Sequence, residues 1–455
     1  MATAGVRVRA TGEDLTSAEL GKATRKRVPR SSLGQWTPAP DRADPIDILE
    51  RQAATRLAYL VPIRYGRMAA GRFPFYRGAP AIMAADLATR PTTGLTVQLC
   101  GDAHLSNFGL FASPERSLVF DVNDFDETLP GPFEWDVERL AASVAVAAQA
   151  NGCTDAETVA AATAAATGYR ETMNRLAGLG ETDVWYEMVD VEQVAELLRP
   201  RYRKRTEKVI TKARRRTSLQ ALNKLTEPGP DGEPRIRPDP PLVLTLPDVE
   251  HVPLHAVLAD YRNSLPDERR LLLDRYQIRD FAVKVVGVGS VGTRCFLALL
   301  TGRTVGDPLF LQVKQAEKSV LAPYLPRRGH RHQGHRVVHG QRLIQSASDI
   351  FLGWATGLDG LFYYWRQLRD MKGSLAIEEM SPDELRQYAG MCGRTLARGH
   401  ARSGDRVAIA AYLGSGDVFD KAIGEFALAY AAQTDADYQA LLTAIDTGRI
   451  TAEDA

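Results

Sequence analysis

Cys100-Gly101-Asp102-Ala103-His104-Leu105-Ser106-Asn107-Phe108-Gly109, followed by Asp121-Val122-Asn123-Asp124-Phe125-Asp126, is the stretch around which the rest of the chain is read. Thr96 to Leu99 and Ser117 to Val122 have strand composition, so one strand leads into the loop and another delivers the acids. A carboxylate, Asp102, lies five residues ahead of an amide, Asn107. That spacing lets a loop present a base to a substrate hydroxyl while the amide coordinates magnesium. Asp124 and Asp126 add the hard oxygen ligands that Mg²⁺ demands.

Asp121, Asn123, Asp124 and Asp126 compete for the metal role. Strand alternation puts Asp124 and Asp126 on one face and Asp121 on the other, and Asp124 is preferred. Far downstream, Gly287-Val288-Gly289-Ser290-Val291-Gly292 is a GxGxxG. A dinucleotide-binding unit needs a helix at the third glycine, whereas Thr293 to Leu300 favours strand. Strand, glycine loop and strand is instead how a loop lies over ATP phosphates, with Gly287, Gly289, Ser290 and Gly292 against them. Lys314, at the end of the third β-favouring run, stands where a lysine pairs with the α- and β-phosphates.

The chain has 455 residues, a quarter of them charged, with a formal net charge of +1. Balanced charge points to neither a nucleic-acid nor a membrane-surface protein. Cys100, Cys153, Cys295 and Cys392 form no CxxC pair, which argues against a zinc module or disulfide scaffold and fits a reducing cytoplasm. Neither a signal peptide nor a membrane span is visible. Arg199 to Arg216 holds ten Lys/Arg and one acid, Glu207, and reads as a solvated helix face with only Tyr202 to stack a base, so nucleic acid is not the expected partner.

Residues 1–42, polar and basic, read as a disordered tail. Helical spacing from Ile46 predicts one helix running into Met68; Phe73 to Gly78 reads as an aromatic turn that could place Arg77 near a ligand. Helices are predicted at Val137–Gln149, Asp155–Leu176 and Val184–Leu198, and a linker at Glu227–Pro241. Phe281–Val286, Thr293–Leu300 and Pro308–Val313 predict an antiparallel meander, with further strands at Ile350–Ala355 and Leu361–Trp365. A helix is predicted near Val337 to Ser346, and the crowded His330, His332, His335 and His339 read as a flexible loop rather than a metal cluster. Ser381-Pro382-Asp383-Glu384 is a capping box that starts a helix ending near Gly404; a last helix spans Asp417–Ala432.

Several of these segments resemble the bacterial domain of unknown function 2252 family: Ile63 to Met68, Phe75 to Gly78, Cys100 to Gly109, Asn123 to Glu127 and His400-Ala401-Arg402-Ser403-Gly404-Asp405. The likeness spans Ile46 to Ala432. That family is similar to protein-kinase-like and aminoglycoside-phosphotransferase-like proteins, whose loop reads His-Gly-Asp-x-His-x-x-Asn. The resemblance implies Asp102 as base, His104 as the loop histidine, Asn107 and Asp124 as metal ligands, and Asp136 as the buried acid that anchors the loop. Two departures stand out: Cys100 replaces the first histidine, and Glu317 is the only acid between Lys314 and Asp349.

The expected fold is therefore α+β, two-lobed and protein-kinase-like, circularly permuted because the catalytic residues precede the glycine loop. Residues 43–245 are expected to form a helical lobe with the catalytic loops, 246–375 an antiparallel β lobe, and 376–455 helices returning to the first lobe. The expected function is ATP- and magnesium-dependent phosphoryl transfer to the hydroxyl of a small molecule. The catalytic residues are Asp102 and His104, the metal ligands Asn107, Asp124 and Asp126, and Lys314 binds nucleotide. A nucleotide-holding pseudokinase and a nucleotidyl transferase are the alternatives on the same scaffold.

Overall fold

The computed structural model describes residues 8–10, 13–189, 191, 200–245, 252–285, 287–326, 330–368 and 371–453. It is a mixed α+β chain. Its main sheet is antiparallel with six strands, in the order Gly353–Thr356, Phe362–Gln367, Pro308–Gln315, Cys295–Thr301, Gln277–Lys284 and Val243–Thr245. Alternation sends Ala298, Leu300, Leu311 and Trp365 to one face, where Trp365 stacks on Tyr261 at 4.5 Å. Leu297, Leu299 and Phe310 go to the other, under Ala221 and Ile236. Lys314 and Tyr364 are paired across neighbouring strands, as are Gln312 and Arg366, so these polar groups continue the Phe310 face towards the loops.

The helical part is built on Phe133–Ala150, which is buried on nearly every side, and on Asp155–Ala177, Pro382–Ala401 and Val418–Asp446. Small residues let two of these helices approach closely: a Cβ on Gly168 or Gly393 would overlap backbone of the facing helix. The Ser381–Glu384 capping box is present with both reciprocal hydrogen bonds.

Several expectations are corrected. Residues 16–42 are not a tail. Ser17–Arg27 is a helix with a Thr16/Glu19 capping box, and it packs on Arg406–Leu413. Its arginines are used on carbonyls: Arg25 Nε donates to Tyr412 O at 2.8 Å and Arg30 to Leu413 O, at the C-terminal end of that helix. The predicted helix from Ile46 is split into Pro45–Ala53, a 3₁₀ turn at Ala58–Leu60 and Val61–Ala69, because Pro62 starts a new helix. Arg72–Gly78 is helical rather than a turn.

The histidine segment is not a loop throughout, because the His332 side chain caps the helix Gln333–Ile344 by accepting the His335 N–H. The linker contains a hairpin, Thr226–Pro228 with Pro234–Ile236, and Val243–Thr245 already belongs to the sheet. The last helix extends to Asp446. Of the predicted helix Val184–Leu198, Glu181–Tyr186 is helical and 192–199 lie outside the described residues, as do Arg199, Val286 and the side chains of 200–206. Among the described residues no helix is long and apolar enough to cross a membrane.

Candidate active site

The strand Thr96–Leu99 ends at Cys100, and the chain turns at Gly101, whose φ is +86° and where a Cβ would overlap Glu127 O. Asp136, in the first turn of the helix Phe133–Ala150, holds this turn: its carboxylate accepts the N–H of Cys100 at 2.7 Å and of Gly101 at 3.0 Å. His400 Nε2 lies 3.2 Å from the same carboxylate, with Tyr169 Oη on its other ring nitrogen at 2.9 Å. An imidazole therefore reaches the loop anchor from a distant helix, while position 100 carries cysteine.

Asp102 accepts from Arg139 Nε at 2.9 Å, and Arg139 lies over the Tyr76 ring, 3.8 Å from its centroid. Burial pushes the Asp102 carboxyl up to about 6, with Arg139 pulling the other way. His104 Nε2 is 3.7 Å from Asp102 Oδ2. Burial, reinforced by Arg77 and Arg139, holds the His104 imidazole well below its ordinary value, so it is neutral at pH 7. Asn107 Nδ2 donates to Asp102 O at 2.7 Å, and its side-chain oxygen takes no hydrogen bond among the described residues.

The three aspartates that compete in sequence separate here. Asp121 is fully buried and saturated by Arg398 (2.6 and 2.7 Å) and by Ser346 N–H and Oγ. Asp126 is engaged at both oxygens, by Tyr364 Oη at 2.6 Å and by Lys314 Nζ at 2.5 Å. Asp124 Oδ1 is buried without a hydrogen-bond partner among the described residues, 3.6 Å from Lys314 Nζ. Burial opposes the Lys314 charge, yet Asp124 and Asp126 outweigh it and raise the ammonium well above its ordinary value. Burial likewise works against Asp126, which Lys314 and Tyr364 nonetheless hold below its usual range. Lys314 therefore pairs with the acid motif, and the helix Gln333–Ile344 that follows it carries no acid.

The glycine loop joins two antiparallel strands, Gln277–Lys284 and Cys295–Thr301, and no helix opens at Gly292. It is tied down from the N-terminal helices: Arg67 Nη1 donates to Gly287 O at 2.6 Å, Arg56 Nη1 to Val291 O at 2.5 Å, and Leu57 N–H to Gly292 O at 2.8 Å. Ser290 Oγ reaches Asp126 Oδ2 at 3.3 Å.

Asp102, His104, Asn107, Asp124, Asp126, Gly287, Gly289 and Ser290 all line one cavity of about 530 Å³. Gly292 and Lys314 are outside that lining; Lys314 is bonded to the lining residue Asp126, and Gly292 to Leu57, next to the lining residue Arg56. Sequence reasoning assigned no role to Tyr364, His400 or Arg366. The register opposite Lys314 points to Tyr364, and the His400–Asp405 motif to His400. Among the described residues no group of three or more His, Cys, Asp or Glu forms a metal cage.

Fold and cavity together define an α+β protein whose glycine loop reaches, through Ser290, a set of carboxylates that holds a buried lysine. The chain belongs to the DUF2252 family, uncharacterized proteins conserved in bacteria, whose profile matches residues 56–444. No curated protein and no solved structure matches it.

Proposed function

We propose that the chain is an ATP- and Mg²⁺-dependent phosphotransferase acting on the hydroxyl of a small molecule, on a circularly permuted protein-kinase-like fold. The observation that carries this reading is convergence. Residues from 102–126 and from 287–314 meet at one cavity, with Lys314 2.5 Å from Asp126 beside a glycine loop. The permutation is supported by the contact between the end of the helix Pro382–Ala401 and the strand that starts the loop, where Gln98 N–H donates to Ser403 Oγ at 3.0 Å. A kinase-like order with this helix ahead of the loop would need such a contact.

The donor set fits a hard cation. The orphaned Asp124 Oδ1 and the free Asn107 oxygen supply two ligands, and nucleotide phosphates and water complete such sites. Mg²⁺, when bound, neutralises phosphate charge. Asp102, ionised above pH 6 and oriented by Arg139, accepts the proton of the acceptor hydroxyl. Lys314, held at the cavity edge by Asp126, would bind the α- and β-phosphates, and the loop Gly287 to Gly292 would cover the phosphate tail.

The test is turnover of ATP labelled at the α- or γ-phosphate. Transfer of γ-label, lost in Asp102→Asn and Asp124→Asn, supports the assignment; turnover unaffected by both substitutions refutes it, and transfer of α-label identifies a nucleotidyl transferase. The absence of an acid on Gln333–Ile344 favours a second reading, a pseudokinase that holds nucleotide without turnover. Thermal stabilisation by nucleotide with no product would select it.

A further inference from the structure

A second cavity, of about 560 Å³, shares no lining residue with the first. Asn123 lines it and Asp124 lines the first, so the two stand back to back across the acid motif. Apolar Leu309 and Phe351 form part of its wall, together with three basic residues, Arg116, Arg366 and Lys372. Arg366 gives two donors to the protein, Nε to Gln312 Oε1 at 3.0 Å and Nη1 to Asn123 O at 2.9 Å. The Lys372 ammonium has no hydrogen-bond or ion-pair partner among the described residues; only its carbonyl is bonded, by Arg216.

The acids of this cavity are already engaged: Asp349 accepts the N–H groups of Phe351 and Gln367, and Asp307 accepts from Tyr276 Oη. Burial, with Arg366 adding to it, pushes Lys372 down to about 7, while Asp349 and Asp124 pull the other way. One buried acceptor is also unsatisfied. Gln341, 4% exposed, donates Nε2 to Gln345 Oε1 at 2.9 Å, and its own Oε1 has no partner among the described residues.

A cavity of this size with an unpaired lysine, two arginines in the same wall and an orphaned acceptor is complementary to one kind of ligand. We propose that it binds a small organic anion, whose phosphate or carboxylate is held by Lys372 and Arg366 and whose O–H or N–H donor is accepted by Gln341 Oε1. The site is separate from the nucleotide cavity and stands whether or not that cavity turns over ATP. Its occupant also bears on the first cavity, because Arg366 is bonded to the residue preceding Asp124 and lies 5.8 Å over the Tyr364 ring, whose hydroxyl holds Asp126.

Lysine acetylation of the full-length protein by a brief pulse of an N-hydroxysuccinimide ester, read by peptide mass spectrometry, tests the proposal. The probes are glycerol 3-phosphate for the phosphate head, glycerate for the carboxylate, and glycerol as the neutral control. Either anion, but not glycerol, is expected to lower Lys372 labelling about tenfold at saturation while leaving Lys318, in the first cavity, unchanged. The same anion should raise the melting temperature of wild type and of Lys372→Arg, and leave that of Lys372→Gln unmoved. Labelling of Lys372 that neither anion alters, or protection of Lys318 and Lys372 alike, overturns the proposal.

Discussion

Lys314 Nζ lies 2.5 Å from Asp126 Oδ2 at the boundary between sheet and loops, and its side chain is only 2% exposed. A lysine this deeply buried is tolerated because the acid motif compensates it. Lys314→Met should therefore destabilise the fold by about 3 kcal/mol or more, since Asp126 is left without its counterion. Lys314→Met combined with Asp126→Leu should recover part of that loss. Chemical denaturation of the two single variants and the double variant measures the coupling, and additive effects would contradict it.

Asp102 carries a second cost of assembling the cavity. Its carboxyl is raised to about 6 in the fold, against about 4 in an unfolded chain. The folded state therefore binds the proton more tightly, and the associated stability is full below pH 4 and lost as pH rises through 6. Asp102→Asn should raise stability by about 2 kcal/mol at pH 8 and by much less at pH 4. The same substitution should lower phosphoryl transfer by about 10² or more, and the wild-type rate should rise with pH along a limb centred near 6. Denaturation at the two pH values and a pH–rate profile check both halves.

Asp136 is placed to act on the loop rather than on a substrate. It joins Cys100 N–H, Gly101 N–H and His400. Asp136→Ala strands two buried N–H groups and should cost about 3 kcal/mol. Hydrogen exchange at the amides of Cys100 and Gly101 should accelerate more than exchange in the sheet, and a uniform acceleration would instead mean global loosening.

These relationships differ in how far sequence reveals them. The loop residues, the acids and the glycine loop are chemically distinctive types at short spacings, so Asp102, Asn107, Asp124 and Gly287 can be named in advance, and they line one cavity. The strands are legible because short β-favouring apolar runs are bounded by glycine-containing turns, and the helix at Pro382 because its capping box is local. What escapes is whatever depends on partners far away in the chain. The basic N-terminal segment reads as solvated, yet Arg42 pairs with both Asp86 and Asp437, and Trp36 packs 4.9 Å from Tyr430. Arg398 looks like an ordinary helix residue, and the His400–Asp405 motif names no partner, until the fold brings them to Asp121 and Asp136.

The acid that sequence left contested gives the sharpest test. Asp121 spends its charge on Arg398, Asp126 spends its own on Lys314 and Tyr364, and of the three only Asp124 keeps a buried oxygen with no hydrogen bond among the described residues, its ion pair to Lys314 being the longer one at 3.6 Å. With Mn²⁺ as a paramagnetic substitute for Mg²⁺ and ADP present, Asp124→Asn should weaken metal binding about tenfold or more, because a ligand charge is removed. Asp126→Asn should weaken it less and lower stability instead. Asp121→Asn should leave affinity near wild type in whatever fraction remains folded, since Asp121 does not line the cavity and its loss leaves the buried Arg398 charge uncompensated. Electron paramagnetic resonance titration of free Mn²⁺ separates the three variants. Equal loss of affinity in Asp124→Asn and Asp126→Asn would mean that Lys314 releases Asp126 when nucleotide binds, and would make both carboxylates ligands.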